Sequence, residues 1–252
     1  MKLVIPNNIF ATLFVLSIDK NIFSEIIVKE SSLISSEINN DENVIGLIPS
    51  FDLINNRDFF ISSKLGLGFE GLISNTYIYY NENQEDISKL LLRGDISTNE
   101  VILSKILFQE RYNIKPEIIL DSKSKFSRDN NYILVGSENW TEDKFKVGTS
   151  FSEQLTDLME FPYINFVFAS QNENIVREFN SKFNQVLQLI INNLDEKLSK
   201  INFSNKFNDF LKENISAVYF DFTHIELEGL KELIQLAYFH QILDDIFDIK
   251  IV

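Results

Sequence analysis

Over its first two thirds the chain alternates short apolar runs with helix-patterned stretches, and that alternation requires an α/β fold. Lys2–Pro6 and Ser24–Val28 read as strands around Phe10–Ile18, a helix whose faces are apolar nearly all round, as in a buried element. Ser31–Asn39 reads as polar helix or loop. Val44–Ile48 is a buried strand ended by Pro49-Ser50, with a helical turn over Phe51–Ile54. Phe59–Leu67 and Ser74–Tyr80 follow as strands. A second set then begins: strand Leu90–Leu92, an amphipathic helix over Ser97–Tyr112, and strands Glu117–Leu120 and Tyr132–Val135 separated by the polar segment Asp121–Asn131. A helix from Thr149-Ser150 to Met159 and an aromatic extended segment, Phe161–Ser170, complete it.

Beyond that the periodicity is helical. Ile175, Phe179, Phe183, Val186, Ile190 and Leu194 recur at the helical period, which predicts one helix of about five turns. Asn205–Glu213 and Glu226–Ile246 are predicted as two more. Two sets of strand–helix units predict two lobes, and α/β sheets bind ligands beyond the carboxyl ends of their strands, so a cleft between the lobes is expected. Tyr77–Tyr80 and Phe166–Ser170 are the candidate crossing strands. They divide the chain into residues 1–80 (lobe 1), 81–165 (lobe 2) and 166–252 (return to lobe 1 and helical tail).

Composition excludes several chemistries. There is no Cys, hence no disulfide, thiolate-ligated metal or Cys nucleophile. Two His, His224 and His240, lack a third partner, no calcium-loop or His-Glu helix motif is present, and no metal or other cofactor is expected. The formal charge of −14 opposes nucleic-acid binding, while still permitting a small anion held by backbone N–H groups. The apolar stretch Ile9–Ile18 lacks a signal-peptide cleavage pattern, and no run approaches the ~20 apolar residues of a membrane span. A cytoplasmic protein without membrane contact is therefore expected; a homodimer through the helical tail stays open.

Four segments are candidates for ligand contact. Three of the eight glycines lie within Leu65–Asn75, where Gly68, Gly71 and Asn75 could bring backbone and amide groups to a ligand. The competing reading is a bulge or tight turn. Ser50, after a buried strand, could hold a carboxylate or serve as a helix cap. Asn7 and Asn8 follow the first strand, where side chains meet ligands in α/β proteins, and Asn8 also suits a helix N-cap. Ser97-Thr98-Asn99-Glu100 fits a capping box, with Glu100 occupying the anion-attracting helix start; Ser150–Glu153 fits a second.

These segments, in this order, resemble the chorismate dehydratase family of the futalosine route to menaquinone. The likeness rests on Val44–Asp52, Leu67–Ile73, the helix end Gln109–Pro116 and the tail Glu226-Leu227-Glu228-Gly229-Leu230, with a weaker echo in Phe161-Pro162 and Phe166–Ala169. It implies a two-lobed type-2 periplasmic-binding-protein-like fold with a helical C-terminal tail. It also implies a cytoplasmic lyase that removes water from a small anionic ligand, chorismate, in the interlobe cleft. Asn8 or Asn7 would then be catalytic, with Ser50 and the Gly68–Gly71 backbone at one carboxylate, Thr98 and Asn99 at the other, and Asn75 a further substrate-binding residue. The sequence departs from the family pattern at Phe69 (Ser in the family), Leu72 (Pro) and Asn99-Glu100 (Thr-Ser). Those departures favour an alternative, a non-catalytic small organic-anion-binding protein of the same fold. The opening Pro6-Asn7-Asn8 also resembles the naphthoate-forming enzyme of the same pathway.

Overall fold

The computed structural model describes residues 1–81, 87–122, 126–127, 129–201 and 203–252; residues 123–125 and 128 of the polar segment Asp121–Asn131 lie outside these. The first stretch forms β1 (Lys2–Pro6), α1 (Ile9–Ser17), β2 (Glu25–Lys29), α2 (Ile34–Asn40), β3 (Val44–Pro49) and β4 (Phe60–Phe69). The second forms β5 (Thr76–Tyr79), β6 (Lys89–Gly94), α3 (Thr98–Tyr112), β7 (Glu117–Leu120), β8 (Tyr132–Val135), β9 (Thr149–Ser150) and α4 (Phe151–Met159). The chain returns through β10 (Tyr163–Ser170) into α5 (Glu173–Lys182), α6 (Val186–Ile191), α7 (Leu194–Ile201) and α8 (Asn205–Asn214). It ends with β11 (Val218–Asp221), α9 (His224–Phe239) and β12 (Lys250–Ile251).

Two sheets result. The first has the order β11-β4-β10-β3-β1-β2, with β12 also on β4; the second has the order β7-β6-β8-β5-β9. In each, a parallel set (β2-β1-β3 and β7-β6-β8) continues into antiparallel neighbours. The first residues belong to this framework: β1 lies inside the sheet between β3 and β2, and Phe10, Leu13 and Phe14 of α1 are buried. Among the described residues no helix is long and apolar enough to cross a membrane.

The expected crossing strands do not cross. Tyr77–Tyr79 lies in β5 of the second sheet, and Phe166–Ser170 in β10 of the first. The chain passes between the sheets at residues 70–75 and 160–162, so the boundaries expected at 80 and 165 fall earlier. The tail also differs. The single helix predicted through Ile175–Leu194 is three, broken where Gln185 (φ 53°) and Asn193 (φ 57°) turn left-handed. The short amide of Asn193 tolerates that conformation, and after Gln185 Asp221 accepts from the N–H groups of Val186 and Leu187, each at 2.8 Å, to start α6 afresh. The apolar positions still reach the core: Phe179 and Phe183 pack with Phe14 of α1 and Phe168 of β10. The last helix stops at Phe239, short of the predicted Ile246, and the tail adds two edge strands to the first sheet.

The tail clasps both lobes. α8 lays Phe207 against Trp140 (ring centroids 4.5 Å) and Phe210 against Phe145 (4.7 Å), both from the 3-10 segment Ser137–Lys146 of the second lobe. α9 is capped reciprocally by Thr223 and Glu226, buries Leu230, and packs on β10 and α4. Its Gly229 lies against the crossing segment, where a Cβ would stand 2.7 Å from the Pro162 carbonyl oxygen. That neighbour is backbone and cannot swing aside. Gly229→Ala is therefore expected to destabilise the protein by about 1–3 kcal/mol despite alanine's better helix propensity. Thermal unfolding checks this; an unchanged or raised Tm would show that α9 does not seat on Pro162.

Candidate functional site

A cleft of about 480 Å³ opens between the lobes. It lies beyond the carboxyl ends of parallel strands from both sheets, where unpaired strand-end groups and loops face a common space. Asn7 follows β1 and Glu30 follows β2; Asp95 follows β6, Asp121 follows β7, and Gly136 and Glu138 follow β8. The ends of β6 and β8 approach closely at Gly94 (φ 100°), where a Cβ would stand 2.0 Å from the Val135 carbonyl oxygen. Arg93, mostly buried, donates from Nε to Glu138 (2.7 Å) and from a terminal nitrogen to Asp121 (3.3 Å). Asp95 reaches across to the first lobe and accepts from the Ser31 N–H (2.9 Å) and hydroxyl (2.7 Å). The described lining is thus rich in carboxylates. Among the described residues no group of three or more His, Asp or Glu is placed to hold a metal ion.

Just past Ile96 of the cleft lining, the start of α3 carries a buried polar seam to the first lobe. Asn99, fully buried, accepts from the Phe51 N–H (2.9 Å) and donates to the Asn165 carbonyl of β10 (2.6 Å). Thr98 donates to Asp52 (2.8 Å), whose other oxygen accepts from Ser35 (2.5 Å). Burial raises the Asp52 carboxyl above the usual aspartate range, against the two hydroxyl bonds. Glu100 caps its own helix, accepting from the N–H (2.9 Å) and hydroxyl (2.7 Å) of Ser97 and from Thr76 (3.3 Å). The expected capping box is present, and its carboxylate points inward, only 1% exposed. The second expected box is half formed: Ser150 accepts from the Glu153 N–H, while its hydroxyl donates to the Gly71 carbonyl (2.8 Å).

The eight residues singled out in the sequence therefore divide. Asn7 lines the open cleft. Asn8 caps α1, accepting from the Ala11 N–H (2.8 Å), and leaves Nδ2 buried without a partner; Asn75 likewise leaves Oδ1 without one. The other five are engaged within the protein. Ser50 is not a cap: it donates to the Ile164 carbonyl (2.7 Å). Gly68 sits inside β4 with Ile164 and Tyr219 opposite, Gly71 (φ 68°) turns the chain and is bonded by Ser150 and Ser152, and Thr98 and Asn99 form the seam. Phe69 is likewise structural, edge-on to Phe10 at 4.8 Å. Glu30, Arg93, Asp95, Asp121 and Glu138 were not singled out. Their common signal was position, each at or just past the end of a predicted strand.

No family model matches the sequence, and no curated protein matches it. Solved structures do match over nearly the whole chain. A protein from Archaeoglobus fulgidus has a TM-score of 0.68 at 11% identity, covering 96% of this chain and 98% of that one. The periplasmic aliphatic sulphonate-binding protein from Escherichia coli has a TM-score of 0.62 at 9% identity, covering 99% and 95%. A zinc-bound ligand-binding component of an ABC-type import system from Staphylococcus aureus has a TM-score of 0.59 at 13% identity, covering 98% and 94%. Together with the sheet orders, these establish a two-lobed α/β fold like that of the type-2 periplasmic binding proteins, with added C-terminal helices, as the sequence led us to expect. Identities this low speak to the fold alone. The expected cytoplasmic placement is corrected by the same structures: the fold is one carried by a periplasmic binding protein and an importer's binding component, so a missing signal-peptide pattern does not place the chain in the cytoplasm.

Burial is also the chief influence on Glu100, raising its carboxyl above the usual glutamate range against the bonds from Ser97. The folded state then holds that proton more tightly than the unfolded chain. Its contribution to stability is complete below the unfolded value and is lost as pH rises through the raised one. Glutamine can keep every bond, its oxygen toward Ser97 and its nitrogen toward Thr76. Glu100→Gln is therefore expected to gain in Tm relative to wild type as pH is raised from about 4 to 8. A Tm difference constant across that range would contradict the buried ionisation.

Proposed function

We propose that this chain is a non-catalytic small-molecule-binding protein that takes its ligand in the interlobe cleft. The carrying observation is the engagement of Ser50, Thr98 and Asn99: these three side chains, which the chorismate-lyase reading places at the substrate carboxylates, are bonded to the protein's own groups. Glu100 adds a carboxylate at the helix start that would have to receive the substrate's. Two like charges sharing a buried site disfavour each other strongly. The space left for a ligand is the outer cleft, where Arg93 is the one described guanidinium against four carboxylates: it pairs with Asp121 and Glu138, Ser31 bonds Asp95, and Glu30 is exposed. Such a lining is complementary to a ligand that presents hydrogen-bond donors or a positive charge, and it opposes the small organic anion that the sequence pointed to. A compact organic amine meets that description, with Asn7 at its polar end.

Two measurements on the purified protein test this. Incubation with chorismate, followed by absorbance for an aromatic product, is expected to show no turnover. Thermal shift with ethanolamine, putrescine and agmatine, against ethanesulfonate and chorismate, is expected to show stabilisation by at least one amine and by neither anion. Glu138→Gln should weaken that amine about tenfold, the scale of one lost charged hydrogen bond. Aromatic product from chorismate, or stabilisation confined to the anions, would overturn the reading.

A further inference from the structure

A second cavity, of about 300 Å³, lies outside the interlobe cleft, where α3 and the start of β7 meet the end of α9. Its floor is apolar, formed by the buried Ile106 and Pro116, with the exposed Ile242 beside it. Its rim is cationic: Lys105 and Lys115 line it, both exposed, and neither makes an ion pair among the described residues. His240 completes the rim, its side chain 9% exposed, with Nε2 3.1 Å from Glu110. In a chain of net charge −14, two unpaired lysines over an apolar floor form a local reversal of the molecule's field.

We infer that this cavity is a binding site for a small amphipathic carboxylate, with its apolar body on Ile106, Pro116 and Ile242 and its carboxylate between Lys105 and Lys115. The volume stands at the lower end of the ~300–1,000 Å³ typical of ligand pockets, which selects a short acid over a folded partner. The charge pattern selects an anion, the opposite of what the cleft's described lining favours. The walls come from both lobes: α3 and β7 belong to the second, and the end of α9 to the tail that returns to the first. An occupant would therefore bridge the lobes on the face away from the cleft mouth's strand ends, and would reinforce the His240–Glu110 contact that already joins them.

The test uses octanoate as probe, with octylammonium and acetate as controls, in calorimetric titrations of the full chain. Wild type is expected to bind octanoate saturably with a Kd below about 1 mM, and to bind neither octylammonium nor acetate in that range. The doubly substituted K105E/K115E protein, altered only at exposed side chains, should bind octanoate at least tenfold more weakly at unchanged Tm. Ile242→Asp, which places a carboxylate in the cavity's apolar lining, should weaken it comparably. No saturable octanoate binding, equal binding of octylammonium, or undiminished affinity in K105E/K115E would overturn the inference.

Discussion

The arrangement of the two lobes depends on one buried amide. Asn99 satisfies a backbone N–H at Phe51 and a backbone carbonyl at Asn165, both in the first lobe, from the start of a helix in the second. A buried backbone group without a partner costs on the order of 1–3 kcal/mol, so separating the lobes exposes several such groups at once unless water replaces the amide. Around it, Thr98–Asp52 and Ser31–Asp95 extend the same logic into a seam of hydrogen bonds between the lobes, with Ser35 holding Asp52 from within the first lobe. Polar seams of this kind fix register more than they add net stability, because each partner was hydrated before burial.

The tail reinforces that seam from the opposite side. Aromatic contacts between α8 and the Trp140 segment, and the seating of α9 against α4, tie the two lobes through side chains that do not themselves line the cleft. The Phe10–Trp140 contact joins them again. A two-lobed protein with only two crossing segments can hinge freely. Here the hinge is spanned by packed helices, and the inner cleft is occupied by the chain's own side chains. The outer cleft stays accessible and, on another face, so does the basic cavity between α3 and α9. That division follows from the seam: groups that bond each other across the lobes are withdrawn from ligands.

Much of the fold was legible because strand and helix periods are local properties of the sequence. The alternation from Lys2 to Val135, the α3 capping box and the resemblance around Val44–Asp52 all pointed to the observed architecture. β11 and β12 were not legible: four-residue and two-residue strands at a sheet edge are defined by the neighbour they pair with. Sheet membership was hidden for the same reason, which displaced the lobe boundaries. At the candidate site, Asn7 and Asn8 were found because they directly follow a strong strand. Ser50, Thr98 and Asn99 were also noticed, but whether a buried hydroxyl or amide faces a ligand or a carbonyl is decided by tertiary contacts. The acidic cleft was invisible because Glu30, Asp95, Asp121 and Glu138 are far apart in sequence and meet only where strands end.

The central claim is that the lobes are held together by the chain's own seam and tail, without a ligand between them. Small-angle X-ray scattering of the ligand-free protein tests it directly. A compact chain of this length has a radius of gyration of about 18 Å. The account predicts a value near that, unchanged when a cleft ligand is added. A clearly larger radius that contracts on ligand addition would show that the free lobes stand apart, and would contradict it.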